Sequence, residues 1–132
     1  MIEIEEPKET TILIIDHDRV ALDLVLDTFS DSATVMTAIN SDIGIEIAIW
    51  EQPDLILLNN LIQEIDGYEV CSQLKSMPET ENIPIIILSP KTEVEDELAA
   101  LSIGAIDFIA KPLKPQILKA RVETVSYTHL RA

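Results

Sequence analysis

The sequence contains few of the residues that build covalent or metal-bound scaffolds. Cys71 is the only cysteine among 132 residues, so no disulfide can form within the chain. No cysteine and histidine set has the spacing of a zinc site. Cys71 falls on the apolar side of a predicted helix, and we expect it to be an unreactive thiol in the core.

Basic residues are also scarce. Nine lysines and arginines stand against twenty-four acidic residues, which gives a formal net charge of −15. A charge of this sign opposes non-specific binding to nucleic acid and to anionic membranes. We therefore expect neither of them as a direct partner.

The chain has no long apolar run, although 47% of its residues are hydrophobic. None of its runs approaches the ~20 residues that cross a bilayer. The first residues are rich in glutamate, whereas a secretory signal would be basic and then apolar. The prediction is a cytoplasmic protein, and the length suits one domain.

What the chain does contain is a series of short apolar runs without alternation. Such runs are typical of strands that are covered on both faces of a parallel sheet. The predicted strands lie at residues 11–16, 33–38, 53–59, 84–89 and 106–109. Helices are predicted between and after them, at 18–30, 41–51, 67–77 and 114–125, with one more capped by Thr92 and closed by Gly104. Asp18 and Ser41 are the expected caps of the first two helices.

Five strands alternating with five helices predict an α/β fold. We expect a three-layer α/β/α sandwich, with a flavodoxin-like, doubly wound parallel sheet in the order 2-1-3-4-5. The domain is expected to cover residues 11–125, after an acidic lead-in at 1–10. Residues 126–132 break the apolar period of the last helix, which leaves open whether they are a frayed helix end or a non-native tail.

Polar side chains follow four of the predicted strands. Because the carboxyl ends of parallel strands share one edge of a sheet, these side chains are expected to meet in one crevice. A carboxylate, an amide, a hydroxyl and an ammonium are suited to handling a phosphoryl group and a divalent cation. The residues are Asp16 with His17, Asn59, Ser89 and Lys111.

Five motifs, in order and at matching spacing, resemble the receiver domain of the bacterial response-regulator family, which has the fold of the chemotaxis regulator. The resemblance implies a role in two-component or phosphorelay signalling, with a histidine kinase, an output domain or another signalling protein as partner. It also implies a cis bond between Lys111 and Pro112. The motifs are Ile14-Ile15-Asp16-His17-Asp18, Leu57-Leu58-Asn59, Ile65-Asp66-Gly67-Tyr68-Glu69-Val70, Ile87-Leu88-Ser89 and Gly104-Ala105-Ile106-Asp107-Phe108-Ile109-Ala110-Lys111-Pro112.

In that family, two acids after the first strand bind Mg²⁺ together with an aspartate that ends the third strand. That aspartate takes the phosphoryl group from a phosphohistidine. A hydroxyl and a lysine stabilise the acyl phosphate, and an aromatic ring turns inward as the hydroxyl moves. By position, the resemblance gives these roles to Asp16 and His17, Asn59, Ser89, Lys111 and Phe108 in turn.

Two of these positions depart from the family pattern. Asn59 stands at the phosphoacceptor position, and a neutral amide can neither form an acyl phosphate nor lend charge to Mg²⁺. His17 replaces one metal-binding acid with a nitrogen ligand that Mg²⁺ does not favour. We therefore expect a degenerate pseudo-receiver that is not an enzyme, that has no catalytic residues, and that binds Mg²⁺ weakly or not at all.

Two uses remain open for the surviving pocket residues Ser89 and Lys111. The pocket can hold a phosphate or sulfate, or Lys111 can pair with Asp16 and the Asn59 carbonyl. The pairing is favoured because an unpaired buried ammonium is costly.

Two alternatives of different chemistry are also compatible with the residues. In one, the chain is an active receiver phosphorylated at another carboxylate, although neither Asp54 nor Asp66 is well placed for the pocket. In the other, it is a haloacid-dehalogenase-like phosphatase with Asp16 as nucleophile and Asp18 as acid/base. Such phosphatases need a further acidic pair after the lysine, and this chain lacks it.

Two surfaces are possible interfaces. The resemblance implies a partner surface or homodimer contact from the fourth helix to the fifth, within residues 92–125. Independently, Ile43, Ile47 and Trp50 recur at helical spacing as a second apolar stripe on the second helix. This stripe is either a partner contact or the wide face of a helix buried by a shifted neighbour.

Overall fold

The structure, a computed structural model, describes residues 10–90 and 94–125. Residues 1–9 of the predicted lead-in and the predicted tail at 126–132 lie outside the described residues. The strands are β1 (Thr10–Ile15), β2 (Ala33–Ala38), β3 (Leu55–Asn59), β4 (Leu61–Ile62), β5 (Ile65–Asp66), β6 (Ile85–Ser89) and β7 (Asp107–Ala110). The helices are α1 (Arg19–Thr28), α2 (Ser41–Glu51), α3 (Gly67–Ser76), α4 (Val94–Ser102) and α5 (Pro115–Val125).

The main sheet has five parallel strands in the order β2-β1-β3-β6-β7. This is the predicted order 2-1-3-4-5, counted over the five strands of the main sheet. The two-residue strands β4 and β5 were not predicted. They pair antiparallel as a hairpin between β3 and α3, beside the carboxyl edge of the main sheet. The predicted fold class is confirmed.

The core consists of two apolar layers, one on each face of the sheet. Alternate residues of β1 enter different layers: Ile12 and Ile14 pack with α1 and α5, whereas Leu13 and Ile15 pack with α2, α3 and α4. All four of these side chains are fully buried. Coverage on both faces explains why the strand sequences are apolar without alternation.

Asparagine and aspartate side chains cap the first three helices. Asp18 caps α1 as predicted, since its carboxylate accepts a hydrogen bond from the Val20 amide. The prediction for α2 was wrong by one residue, because Asn40 accepts from the Ile43 amide and Ser41 is already the first helical residue. The predicted cap Thr92 lies outside the described residues.

Two backbone features predicted before and after β7 are present. Gly104 has a φ of 103°, a left-handed conformation that suits glycine, and it follows the end of α4 as predicted. The peptide bond between Lys111 and Pro112 is cis, as the resemblance implied. In the part of the chain that the structure describes, no helix has the length and apolar character needed to span a bilayer.

Candidate functional site

The carboxyl edge of the sheet brings the predicted polar residues together. Asp16 follows β1, Asn59 ends β3, Ser89 ends β6 and Lys111 follows β7. Neighbouring strands are in parallel register, so their ends lie side by side. Asp16 and Ser89 are fully buried, and Asn59 is 5% exposed. The polar side chains of the site are therefore buried in the core.

Asp16 is the centre of this site. Its Oδ1 accepts hydrogen bonds from Asn59 Nδ2 at 3.0 Å and from the Asp18 amide at 2.9 Å. Its Oδ2 accepts from Lys111 Nζ at 2.8 Å. The Lys111 side chain is only 13% exposed. Burial of a carboxylate is costly unless it is paired and hydrogen-bonded, and here three donors satisfy both oxygens.

Asn59 serves this cluster as a donor. Its Nδ2 bonds the Leu61 carbonyl at 2.7 Å as well as Asp16. Its Oδ1 is buried and accepts no hydrogen bond from the described residues. The predicted pairing of Lys111 is thus confirmed for Asp16 and wrong for the Asn59 carbonyl. The Lys111 ammonium instead lies near a second carboxylate, with its Nζ 3.6 Å from Asp18 Oδ2.

His17 is exposed and holds the β4–β5 hairpin against the β1–α1 loop. Its Nδ1 accepts a hydrogen bond from the Gln63 amide at 3.0 Å. The lone pair of this nitrogen is therefore engaged by the Gln63 amide. Gln63 itself has a φ of 58°, which turns the hairpin. No sequence pattern signals this contact, because it joins a loop to a turn 46 residues away.

The arrangement offers few of the ligands preferred by the Mg²⁺ ion that the resemblance implies. Mg²⁺ prefers several oxygen ligands in octahedral geometry, with carboxylates among them. Here the one buried carboxylate is satisfied by three donors, one of them cationic, and Nδ1 of His17 is occupied. Within residues 10–90 and 94–125, no group of three or more His, Cys, Asp or Glu side chains could hold a metal ion.

A cleft of about 850 Å³ opens above the cluster, between the start of α1 and the loops after β3 and β7. Its polar lining includes Asp18 and Lys111. Its apolar lining was not predicted as part of the site, because these residues come from three separate segments. Members of that lining are Val20, Leu24, Leu61, Pro112 and Leu113.

Two further residues singled out from the sequence are buried in the same half of the fold. Phe108 lies in β7, is 8% exposed, and packs in the layer that contains α4. Cys71 is fully buried in that layer. Burial raises the pKa of the Cys71 thiol to about 11, and the nearby Lys75 opposes this shift. The thiol is therefore protonated at neutral pH, as expected for an unreactive core cysteine.

The three residues of the predicted apolar stripe on α2 differ in burial. Ile47 packs partly against the core. Ile43 and Trp50 remain 46% and 78% exposed. No neighbouring element covers these two side chains in the part of the chain that the structure describes.

Comparison with known proteins agrees with this architecture. Residues 12–123 match the family described as response regulator receiver domain. The chain is 34% identical over 120 residues to a protein of Vibrio cholerae named "Probable cyclic di-GMP phosphodiesterase", covering 91% of this chain and 27% of that protein. It is 32% identical to the transcriptional regulatory protein AfsQ1 of Streptomyces coelicolor, covering 86% of this chain and 49% of that one.

Solved structures show the same fold. A crystal structure of a candidate response regulator from Chloroflexus aurantiacus superposes with a TM-score of 0.82 at 31% identity, covering 89% of this chain and 98% of that one. The chain spans half or less of the two curated relatives, and nearly all of this solved chain. The protein belongs to the response-regulator receiver domain family of two-component signalling.

Proposed function

We propose that this receiver domain works without phosphorylation at the usual position and acts through protein contacts rather than by catalysis. The observation that carries the proposal is the position of the Asn59 side chain. It occupies the phosphoacceptor site as a hydrogen-bond donor to Asp16 and to the Leu61 carbonyl.

The chemistry of an amide supports this proposal. Formation of an acyl phosphate requires a carboxylate oxygen to attack phosphorus and a leaving group to depart. The nitrogen lone pair of Asn59 is delocalised into its carbonyl, and the Nδ2 hydrogens are directed to two acceptors. The Oδ1 atom is neutral and buried. Asn59 therefore offers no nucleophile.

The buried Asp16 carboxylate is paired with a cation without a metal ion. Lys111 Nζ lies 2.8 Å from Asp16 Oδ2 and 3.6 Å from Asp18 Oδ2. In a receiver with an aspartate at position 59, a second carboxylate would need a cation beside it. With an amide at position 59, the ion pair of Lys111 and Asp16 is enough to neutralise the buried carboxylate. We propose that Mg²⁺ binding is weak or absent.

The contacts of Asp54 and Asp66 argue against either of them as a displaced phosphoacceptor. Asp54 accepts hydrogen bonds from the amide and hydroxyl of Thr11, at the opposite edge of the sheet. Asp66 caps α3 through the Tyr68 amide. Neither carboxylate faces the cleft. A phosphatase with Asp16 as nucleophile is also disfavoured, since both oxygens of Asp16 already accept from three donors.

We further propose that the partner is a histidine kinase, an output domain or another signalling protein. The surface formed by α4, β7 and α5 is one place for such a contact or for a homodimer. A second cleft of about 400 Å³ opens on this surface, lined by residues that include Glu97, Phe108, Ile117 and Arg121. Arg121 pairs there with Asp107 at 3.2 Å.

Intact-mass spectrometry tests the proposal. The wild-type chain is incubated with acetyl phosphate and Mg²⁺ beside Asn59→Asp and the double variant Asn59→Asp/His17→Asp. We expect no adduct of about 80 Da on the wild type, and an acid-labile adduct on the double variant because both missing carboxylates are then present. Asn60→Asp, which adds the same charge one residue away, serves as the control and is expected to stay unmodified.

Two results would count against the proposal. An acid-labile adduct on the wild type would show that another carboxylate accepts the phosphoryl group, and peptide mapping would locate it. An adduct on Asn60→Asp equal to that on the double variant would show that position 59 has no special role.

A further inference from the structure

Helix α2 lacks the polar outer face of an ordinary surface helix. Five of its eleven residues are isoleucine or tryptophan, and they form two apolar stripes on different sides of the helix. An apolar stripe on a helix normally packs against another element. Here only one side is covered, by β1, β2 and α3. Ile43 and Trp50 remain 46% and 78% exposed, two turns apart on the other side.

The charges around this face have a single sign. All charged residues of α2 are acidic and exposed, namely Asp42, Glu46 and Glu51. The chain contains no lysine, arginine or histidine between Arg19 and Lys75, and many acids in that stretch. The apolar face therefore lies in a region with negative potential.

This combination identifies the chemistry of an occupant. Two copies of the chain joined through this face would bring the acids of both α2 helices together, and like charges at an interface cost several kcal/mol. An anionic membrane would be repelled for the same reason. A protein segment with an apolar stripe flanked by lysines or arginines complements both features.

We propose that the exposed face of α2, formed by Ile43 and Trp50 with the acids Asp42, Glu46 and Glu51, docks a basic amphipathic helix of a partner protein. The apolar side chains of that helix cover Ile43 and Trp50, and its basic side chains pair with the acids at the edge. This inference rests on the proposed function in taking protein contact as the role of the domain. Ile43 and Trp50 are not among the residues that line the cleft at Asp16 and Asn59.

Fluorescence titration of the full chain tests the proposal, because Trp50 is the only tryptophan. The probe is a helical peptide of leucine and lysine about four turns long, which is enough to form a stable amphipathic face. We expect a saturable blue shift of the Trp50 emission as the ring leaves water. A peptide with glutamate in place of lysine is expected to give no shift. Binding should weaken as NaCl rises from about 50 mM to about 500 mM.

Matched variants separate docking at α2 from general attraction to an acidic protein. Ile43→Lys is expected to weaken binding at least about tenfold. Leu26→Lys adds the same charge at a residue of α1 that is 39% exposed on the other side of the sheet and lines neither cleft, and it should change affinity less than about twofold. Glu46→Lys is expected to weaken binding while leaving the apolar face intact. Circular dichroism confirms that each variant is folded.

Three results would overturn the proposal. The first is an unchanged Trp50 emission, and the second is an equal loss of affinity in Ile43→Lys and Leu26→Lys. The third is a dimer of the chain alone in light scattering that Ile43→Lys dissociates, since this face would then bind a second copy. None of these measurements reads phosphoryl uptake, so failure here and failure of the proposed function are distinguishable.

Discussion

Replacement of Asn59 by aspartate should destabilise the protein in the absence of Mg²⁺. The substitution removes the Nδ2 donor that lies 3.0 Å from Asp16 Oδ1 and puts a second carboxylate oxygen in its place. It also removes the hydrogen bond to the Leu61 carbonyl. Each lost bond costs about 1 kcal/mol. Two like charges about 4 Å apart repel by about 4 kcal/mol at an effective dielectric constant of about 20.

Lys111 offsets part of this repulsion, because its ammonium already lies against Asp16. The introduced carboxyl can also stay protonated, which limits the cost at neutral pH. We therefore expect a loss of about 2–4 kcal/mol in the free energy of unfolding at pH 7. Asn60→Asp, at a half-buried neighbouring position, should cost less than about 1 kcal/mol.

The loss should depend on pH. Desolvation and the charge of Asp16 raise the pKa of the introduced carboxyl above its unfolded value of about 3.9. Below that pH the group is protonated in both states, so this electrostatic penalty vanishes. The penalty appears as the pH rises from about 4 through the folded pKa, because the unfolded chain then releases its proton more readily.

Urea unfolding followed by circular dichroism measures these differences at pH 5 and pH 7. Millimolar Mg²⁺ should restore stability to Asn59→Asp and leave the wild type unchanged, since only the variant has two facing carboxylates. A variant as stable as the wild type at pH 7 without metal would refute this reasoning. So would equal stabilisation of both proteins by Mg²⁺.

The packing leads to three further predictions. Lys111→Met leaves the buried Asp16 carboxylate without its cation and should cost about 3–5 kcal/mol in urea unfolding, and Asp16→Asn in the same chain should recover part of this. Cys71 should resist a thiol reagent at pH 8 until the protein unfolds. Burial raises the pKa of its thiol to about 11, so the thiol favours folding below its unfolded pKa of about 8.5, and this stabilisation is lost as the pH rises to 11. Urea unfolding of Cys71→Ala beside the wild type measures this loss. In Gly67→Ala the new Cβ would overlap the Asn59 carbonyl oxygen, so α3 or the hairpin must shift, and the melting temperature should fall by several degrees.

The sheet was predictable because its strands are buried on both faces. Within β1, β3 and β6, the runs at 12–15, 55–58 and 85–88 contain only leucine and isoleucine, and runs this short and this apolar are typical of buried strands. The β4–β5 hairpin was missed because strands of two residues have no periodicity to detect. The cap of α2 was missed because Asn40 and Ser41 are both good capping residues, and only the backbone geometry chooses between them.

The residues of the site were predictable from the sequence, whereas their hydrogen bonds were predictable only in part. Parallel strand ends had to bring Asp16, Asn59 and Lys111 together, and opposite charge made the pair of Asp16 and Lys111 the natural outcome. The orientation of the Asn59 amide depends on the Leu61 carbonyl, whose position is set by the unpredicted hairpin. The bond from Gln63 to His17 depends on the same hairpin.

We propose that the pocket of this receiver takes up neither Mg²⁺ nor a phosphoryl group. Amide nuclear magnetic resonance spectra of the wild-type chain, recorded with Mg²⁺ and then with acetyl phosphate added, test it most directly. The account predicts no saturable shift at Asp16, Asn59, Ser89 or Lys111 in either step, with Asn59→Asp/His17→Asp shifting in both. Saturable shifts at these residues in the wild type would contradict it.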